Sequence, residues 1–405
     1  MAASAAPALP TALATVMGDG GNGGDGGDGG DGGIAAMAAA TVIAVQAAMA
    51  TQACRPAIDL PACRPIYRPA IDRPTYRLAD RSVRQSTRPG VSRAGGKRAC
   101  AASAAVPSRE DRGEDMDKRI IIDFDNTMGV RGCDIDDGLA LLFLLGTEGV
   151  RVEAACTAFG NSSIDVVHDN TARMLREWDL DIPVHRGAGA PDEEPSEAAR
   201  FLAEAAAASP GELAVVATGS MSNLGQAARL DPAFFSNLCE VSLMGGITES
   251  LVINGRIMNE LNLSCDPAAT AAVLGAQCPV TAATAQACLP AFFSRADFVD
   301  AFGEGSWLLR ACGYWFADMG ERYVWDGFTC WDVVAAASVA RPDLFGFEEM
   351  DVTLNERLFH VGYLEHARPG APSARIRIPR IKDARVFKDE CIAAWHRALA
   401  ELPVG

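Results

Sequence analysis

The sequence predicts an α/β fold: a mainly parallel, Rossmann-like open sheet flanked by helices, running from Lys118 to the C-terminus. Three observations carry this. Apolar runs of strand length alternate with helix-length segments from Lys118 on, the pattern of repeated β-α units. The strands are apolar along their length, as in sheets covered on both faces. Polar clusters recur where those strands end, at Asp123 and Asp125, Asn161, Thr218 and Met244-Gly245-Gly246. In such sheets the ligand site lies at the carboxyl ends of the strands.

The elements follow in order. Residues 119–125 form the first strand, built on Ile120-Ile-Ile. Residues 136–145 form a helix opened by two acids, where the positive end of the helix dipole favours negative charge. Strands are expected at 150–158, 182–185, 213–218, 240–244 and 279–281. Helices are expected at 164–178, 196–208 (Ala-rich), 221–230 and near 267–274. Trp331-Asp332 begins a further apolar helix.

Residues 1–117 read differently. An Ala-rich start leads into a Gly-Asp tract from Gly18 to Gly33, then an Arg/Pro/Ser-rich stretch from Arg55 to Arg112 in which RPAID occurs at Arg55 and again at Arg68. None of it holds helical or strand periodicity, so it is expected to be a disordered, low-complexity extension. No positive charge precedes Arg55, which argues against a signal peptide. The apolar stretch 34–50 is Ala-dominated and short for a membrane span. Met116, directly before the first strand, is read as a candidate true start, with the extension outside the native protein. The domain division is therefore 1–117 and 118–405.

The chain carries a net charge of −16, and because residues 1–117 are close to balanced, the excess sits on residues 118–405. Such a surface repels nucleic-acid phosphates and anionic membranes. A small neutral or cationic ligand, or a metal, fits better. The 12 cysteines show no CxxC pair. With no secretion signal they are expected to be reduced, mostly buried thiols in a cytoplasmic protein. No G-x-G-x-x-G follows the first strand and no P-loop motif occurs, which argues against dinucleotide and P-loop nucleotide sites.

The chemistry centres on Asp123, Asp125, Asp134, Asp136 and Asp137. Acids this crowded repel one another, and a hard divalent cation offsets the cost. Ligation by oxygen alone suits Ca²⁺ or Mg²⁺ rather than zinc. Asp123 and Asp125 are two apart and so are expected on one strand face. Asp134 or Asp136 could instead cap the following helix. In the segment 254–266, Asn254, Glu260 and Asn262 offer donors and acceptors of little net charge, suited to sugar hydroxyls. Asp332 could cap its helix or close the metal site from a distance. His168 and His185 have no plausible nucleophile nearby and no cysteine has an adjacent base, so neither is assigned a role.

These segments resemble, in consistent order, the calcium-dependent nucleoside hydrolases (inosine–uridine nucleoside N-ribohydrolases). The matching pieces are Asp123-Phe-Asp125, Asp136-Asp137, Phe159-Gly-Asn161, Thr218-Gly-Ser-Met-Ser-Asn223, Met244-Gly-Gly, Glu260-Leu-Asn262 with Asp266-Pro, and Asp332 with Pro342-Asp-Leu-Phe downstream. The resemblance implies the nucleoside hydrolase fold and hydrolysis of ribonucleosides to base and ribose. It implies Asp125 as metal-bound general base, Asp137 and Asp332 as carboxylate ligands of Ca²⁺, and Thr218 as a backbone-carbonyl ligand. It implies ribose contacts from Asp136, Asn161, Glu260 and Asn262, a contact to the 5′ end from Asn254, and Met244 packed under the sugar. It also implies a homodimer or homotetramer with a small-molecule nucleoside as its partner, in keeping with a charge that argues against nucleic acid and membrane.

Two departures stand out. The family spaces its acid pairs closely, whereas here residues 126–134 are interposed, which leaves Asp134 open as a replacement or additional ligand. Where many members have His before the last Asp, this chain has Trp331, as in the purine-preferring branch, where Trp stacks on the base. Two rivals remain. Asp123-Phe-Asp-Asn-Thr also matches the D-x-D-x-T of haloacid-dehalogenase-like phosphatases, with Asp123 as nucleophile and Asp125 as acid/base. That mechanism wants a downstream lysine, and none lies between Lys118 and Lys382. The other rival is a non-catalytic nucleoside-binding protein.

Overall fold

The structure is a computed structural model and describes residues 117–403. The expectations for the N-terminal extension, its RPAID repeats and a start at Met116 lie outside those residues. In chain order the strands are β1 (Lys118–Phe124), β2 (Val150–Thr157), β3 (Val184–His185), β4 (Leu213–Ala217) and β5 (Glu240–Met244). They continue with β6 (Val252–Ile253), β7 (Arg256–Ile257), β8 (Val280–Ala283), β9 (Phe292–Ser294), β10 (Gly327–Thr329), β11 (Phe345–Thr353) and β12 (Ser373–Ile381). Eight of them form one sheet in the order β11-β12-β8-β5-β4-β1-β2-β3, while β6–β7 and β9–β10 pair separately. All neighbours in the large sheet are parallel except β11 and β12.

The first strand shows why the sequence folds this way. Ile120, Ile122 and Phe124 point into one core, shared with Leu139, Leu142 and Val334, and Ile121 points into the other, shared with Leu202, Val215 and Leu224. All four strand residues are buried. Covering an apolar side chain of this size stabilises the fold by about 1.5–3 kcal/mol. A strand that is apolar on both faces can do this only in the middle of a sheet with helices on each side. Helices Asp136–Leu145, Trp331–Ala340 and Ala384–Glu401 lie on the first side, and Glu197–Ala208 and Ser222–Leu230 on the second.

The expected helices 136–145 and 267–274 and strand 240–244 recur with the same bounds. Most other ends move by one or two residues. Two shifts matter: Asp125 and Thr218, expected at the ends of strands, lie just beyond β1 and β4. The last backbone bonds there are Thr218 N–H to Asp123 O at 2.8 Å and Ala158 N–H to Phe124 O at 2.9 Å. Past them the backbone is free to turn its polar groups into a site. The order of the sheet adds a second cause. From β1 the chain moves outward through β2 to β3, then returns to the other side of β1 to lay down β4, β5 and β8. The connections leave β1 in opposite directions, so a crevice opens between the carboxyl ends of β1 and β4.

Seven of the nine described cysteines are buried.

Candidate active site

At that crevice the five acids separate into distinct roles. Asp123 stays on the Ile121 side of β1, and its Oδ2 accepts a 2.8 Å hydrogen bond from Asn223 Nδ2, while Oδ1 is buried without a partner. Asp125 turns elsewhere: its Oδ2 accepts the Asn161 backbone N–H at 2.5 Å and its Oδ1 accepts Asn161 Nδ2 at 3.2 Å. The expectation that Asp123 and Asp125 share a strand face is therefore corrected. The strand ends at Phe124, and the alternation of side chains ends with it.

Space for Asp125 comes from Gly160, where an added Cβ would sit 2.0 Å from Asp125 Oδ2. Gly160→Ala is expected to displace the carboxylate and lower turnover about 10²-fold, the usual cost of a misplacement near 1 Å. A steady-state assay beside a melting curve checks this; unchanged turnover would contradict the placement.

Asp136 and Asp137 open their helix without capping it, because the N-cap position is Ile135 and makes no side-chain bond. Asp134 accepts the adjacent Ile135 N–H at 2.7 Å and stands one residue before the N-cap position, so it is not the helix cap either. Asp136 Oδ2 instead accepts the backbone N–H of Asp332 at 3.1 Å, tying the start of one helix to the start of another. Carboxylate oxygens of Asp136, Asp137 and Asp332 lie within 4.8 Å of one another. Asp137 is held in place by Thr218 Oγ1 at 2.8 Å and by Asn161 Nδ2 at 3.2 Å. Thr218 O accepts Asn262 Nδ2 at 2.9 Å, and the same amide reaches Met244 O at 3.1 Å.

Burial dominates the electrostatics. It pushes the Asp123 and Asp125 carboxyls up to about 7 and Asp136 up to about 6, and it raises Asp134, Asp137 and Asp332 well above the carboxylate range. Negative neighbours add to the rise: Asp137 acts on Asp136, Asp125 on Asp137, and Asp136 on Asp332. A set of buried, mutually repelling carboxylates with oxygen donors alone fits a hard divalent cation.

The cluster opens into a cleft of about 320 Å³. Among the residues singled out from sequence, Asp136, Asn161, Thr218, Met244, Glu260, Asn262, Trp331 and Asp332 line it, as does Asp134. Asp125 and Asp137 are fully buried and bond the lining residue Asn161. Glu260 is fixed by backbone N–H groups of Leu263 at 2.7 Å, Ser264 at 3.1 Å and Gly246 at 3.2 Å. Asn254 is not brought to the cleft. It sits in the β6–β7 turn at φ 48°, and its Nδ2 is taken by the carbonyls of Tyr323 and Val324 at 3.1 and 2.8 Å. Asp123 is likewise absent from the lining and, unlike Asp125, bonds Asn223 rather than a lining residue.

Sequence reasoning missed one wall. Helix Trp307–Tyr323 contributes Trp315, Met319, Arg322 and Tyr323 to the cleft. Their spacing of four, three and one puts them on one helical face. That stripe was visible, but a stripe of this kind ordinarily marks core, and Leu308, Cys312 and Phe316 of the same helix are core.

Comparison with known proteins agrees with this architecture. The family model for inosine-uridine preferring nucleoside hydrolases matches residues 120–388. A probable uridine nucleosidase from Arabidopsis thaliana is 30% identical over 184 residues, which cover 38% of this chain and 54% of that protein. The chain thus spans about half the length of that relative. A solved plant nucleoside hydrolase superposes with a TM-score of 0.59 at 19% identity, covering 69% of this chain and 98% of the other. An inosine-guanosine nucleoside hydrolase superposes with a TM-score of 0.57 at 21% identity, covering 69% and 98%. With the family match extending over most of the described residues, the chain belongs to the inosine-uridine preferring nucleoside hydrolase family.

Proposed function

We propose that the protein hydrolyses the N-glycosidic bond of ribonucleosides, releasing free base and ribose, with Ca²⁺ as cofactor and a preference for purines. The observation that carries this reading is the juxtaposition in one cleft of the buried Asp136–Asp137–Asp332 cluster with the amide and carboxylate groups of Asn161, Glu260 and Asn262.

In this reading Asp125, Asp137, Asp332 and the Thr218 carbonyl would hold the ion. A divalent cation there supplies a lowered pKa for water and a grip on the 2′ and 3′ hydroxyls. Asp125, oriented by both donors of Asn161, accepts the proton of the attacking water. Breaking the C1′–N bond builds positive charge on the ribose ring. The carboxylates of Asp136 and Glu260 and the amide oxygens of Asn161 and Asn262 face that charge and stabilise it. Met244 packs under the sugar. A contact from Asn254 to the 5′ end would fall to its Oδ1, since its Nδ2 is held by the carbonyls of Tyr323 and Val324.

Trp331 lines the cleft beside Asp332 and offers an apolar face to a base. Trp331→Ala is expected to lower kcat/KM for inosine about two- to tenfold, with a smaller loss for uridine, since ring stacking is worth about 0.5–1.5 kcal/mol beyond area burial. Equal losses for both substrates would remove the purine preference from the reading.

The substrate is a free nucleoside rather than nucleic acid. A homodimer or homotetramer working in the cytoplasm is the assembly this reading adopts. Among the described residues no helix is long and apolar enough to cross a membrane. The direct test is product analysis after incubation with inosine, uridine and an aryl phosphate. Hypoxanthine or uracil together with ribose supports the proposal. Inorganic phosphate would favour the phosphatase, and binding without products a sensor.

A further inference from the structure

The interposed residues 126–134 are not a slack insertion. Their base is buried: Asn170 Nδ2 donates to the carbonyls of Asn126 and Met128, both at 3.2 Å, and Thr127 Oγ1 closes the loop on Asp134 O at 2.7 Å. Met128 fills the space over Gly138, where an added Cβ would meet its sulfur at 2.6 Å. The outer half turns through Gly129 and Gly132, at φ 90° and 81°, a region open mainly to glycine. That half is fastened to helix Trp307–Tyr323. Gly129 N–H donates to Tyr314 Oη at 3.2 Å, Tyr314 Oη reaches Thr127 O at 3.4 Å, and Arg322 Nη2 donates to Gly132 O at 3.2 Å.

Both fastened partners face the cleft. The loop contributes Gly132, Cys133 and Asp134 to its lining, and the helix contributes Trp315, Met319 and Tyr323. The Arg322 guanidinium also lies over the Trp315 ring, 5.6 Å from its centroid. The end of the helix is itself held: Asn254 caps the carbonyls of Tyr323 and Val324, and Arg256 Nη1 donates to Glu321 O at 2.8 Å. Of the groups assigned to the sugar, Asn161, Met244, Glu260 and Asn262 come from other segments, while Asp136 follows the loop after Ile135.

We propose that loop 126–134, positioned by Tyr314 and Arg322, is a specificity wall that closes the base end of the cleft and sets affinity for the base half of the nucleoside. The inference rests on the nucleoside-hydrolysis reading. Tyr314 does not line the cleft and acts through the loop, so it is a positioning residue; Arg322 both fastens the loop and lines the cleft.

The test separates base-side from sugar-side binding in the full-length protein. Tyr314→Phe is compared with wild type for KM and kcat with inosine, for competitive inhibition by free ribose, and for melting temperature. Loss of the Tyr314 hydroxyl, and with it both of its loop bonds, is expected to raise KM about tenfold, with kcat and the ribose inhibition constant within about twofold of wild type. An unchanged KM, or a ribose constant that rises in step with KM, overturns the proposal. If wild type turns over no nucleoside, the hydrolase reading fails by itself. The wall is then tested by calorimetry, comparing inosine and ribose dissociation constants in the same variant under the same criteria.

Discussion

Asp125→Asn is expected to lower kcat by about 10²–10⁴-fold, the range typical for loss of a general base, while the metal-free variant melts no lower than metal-free wild type. The two halves of this result have one cause. The Asp125 carboxyl is fully buried and raised to about 7 because its charge is desolvated beside Asp136 and Asp134. Asparagine has the same shape and keeps an acceptor for the Asn161 N–H, but carries no charge to bury. Catalysis loses its proton acceptor, and the fold loses a source of repulsion. A kcat within threefold of wild type would remove Asp125 from the reaction. A large fall in melting temperature would mean that the site needs the charge for folding.

Stripping the metal is expected to abolish turnover and to reverse the pH dependence of stability. In the metal-free protein Asp125 and Asp123 are raised to about 7 and Asp136 to about 6, against an ordinary value of 3.8. Between those limits the folded chain binds more protons than the unfolded one. Stability is therefore greatest at the acid end and falls as pH rises from about 4 through about 7. With Ca²⁺ present the slope changes sign, because the ion binds the ionised carboxylates and its affinity grows as they lose protons. Melting curves from pH 5 to pH 7.5, with chelator and with excess Ca²⁺, check both arms. Parallel curves would mean that the acids are not cation ligands.

Much of this site was legible because its residues sit at positions that sequence periodicity locates well. Asp136 and Asp137 open a helix whose bounds agree with the expected ones, Thr218 directly follows β4 and Met244 ends β5, both apolar strands that read clearly. The misreadings occur where local pattern gives way to tertiary structure. Asp123 and Asp125 share strand parity, yet β1 stops at Phe124 and Asp125 begins the loop after it. Asn254 has the chemistry of a sugar contact, but it lies outside the cleft lining, and the carbonyls at the end of helix Trp307–Tyr323 need donors and take its Nδ2. The β11–β12 pair went unread because β11, at the edge of the sheet, buries only some of its residues and mixes Glu348, Glu349 and Asp351 with apolar ones. Opposite lie Arg375, Arg377 and Arg380, and these cross-strand partners are invisible to a local reading. The loop 126–134 looked like an irregularity in acid spacing. Only its bonds to Tyr314 and Arg322, nearly two hundred residues on, show that it is built into the cleft.

The central claim is that buried acids at the ends of β1 and β4 hold a cation that works in nucleoside cleavage. Calcium titration of the stripped protein, followed by ribose release from inosine, tests it most directly. The account predicts no release without the ion and full activity restored near one Ca²⁺ per chain, with Asp332→Asn and Asp137→Asn failing to recover at that concentration. Ribose release that persists in chelator, or that returns equally in those variants, would contradict it.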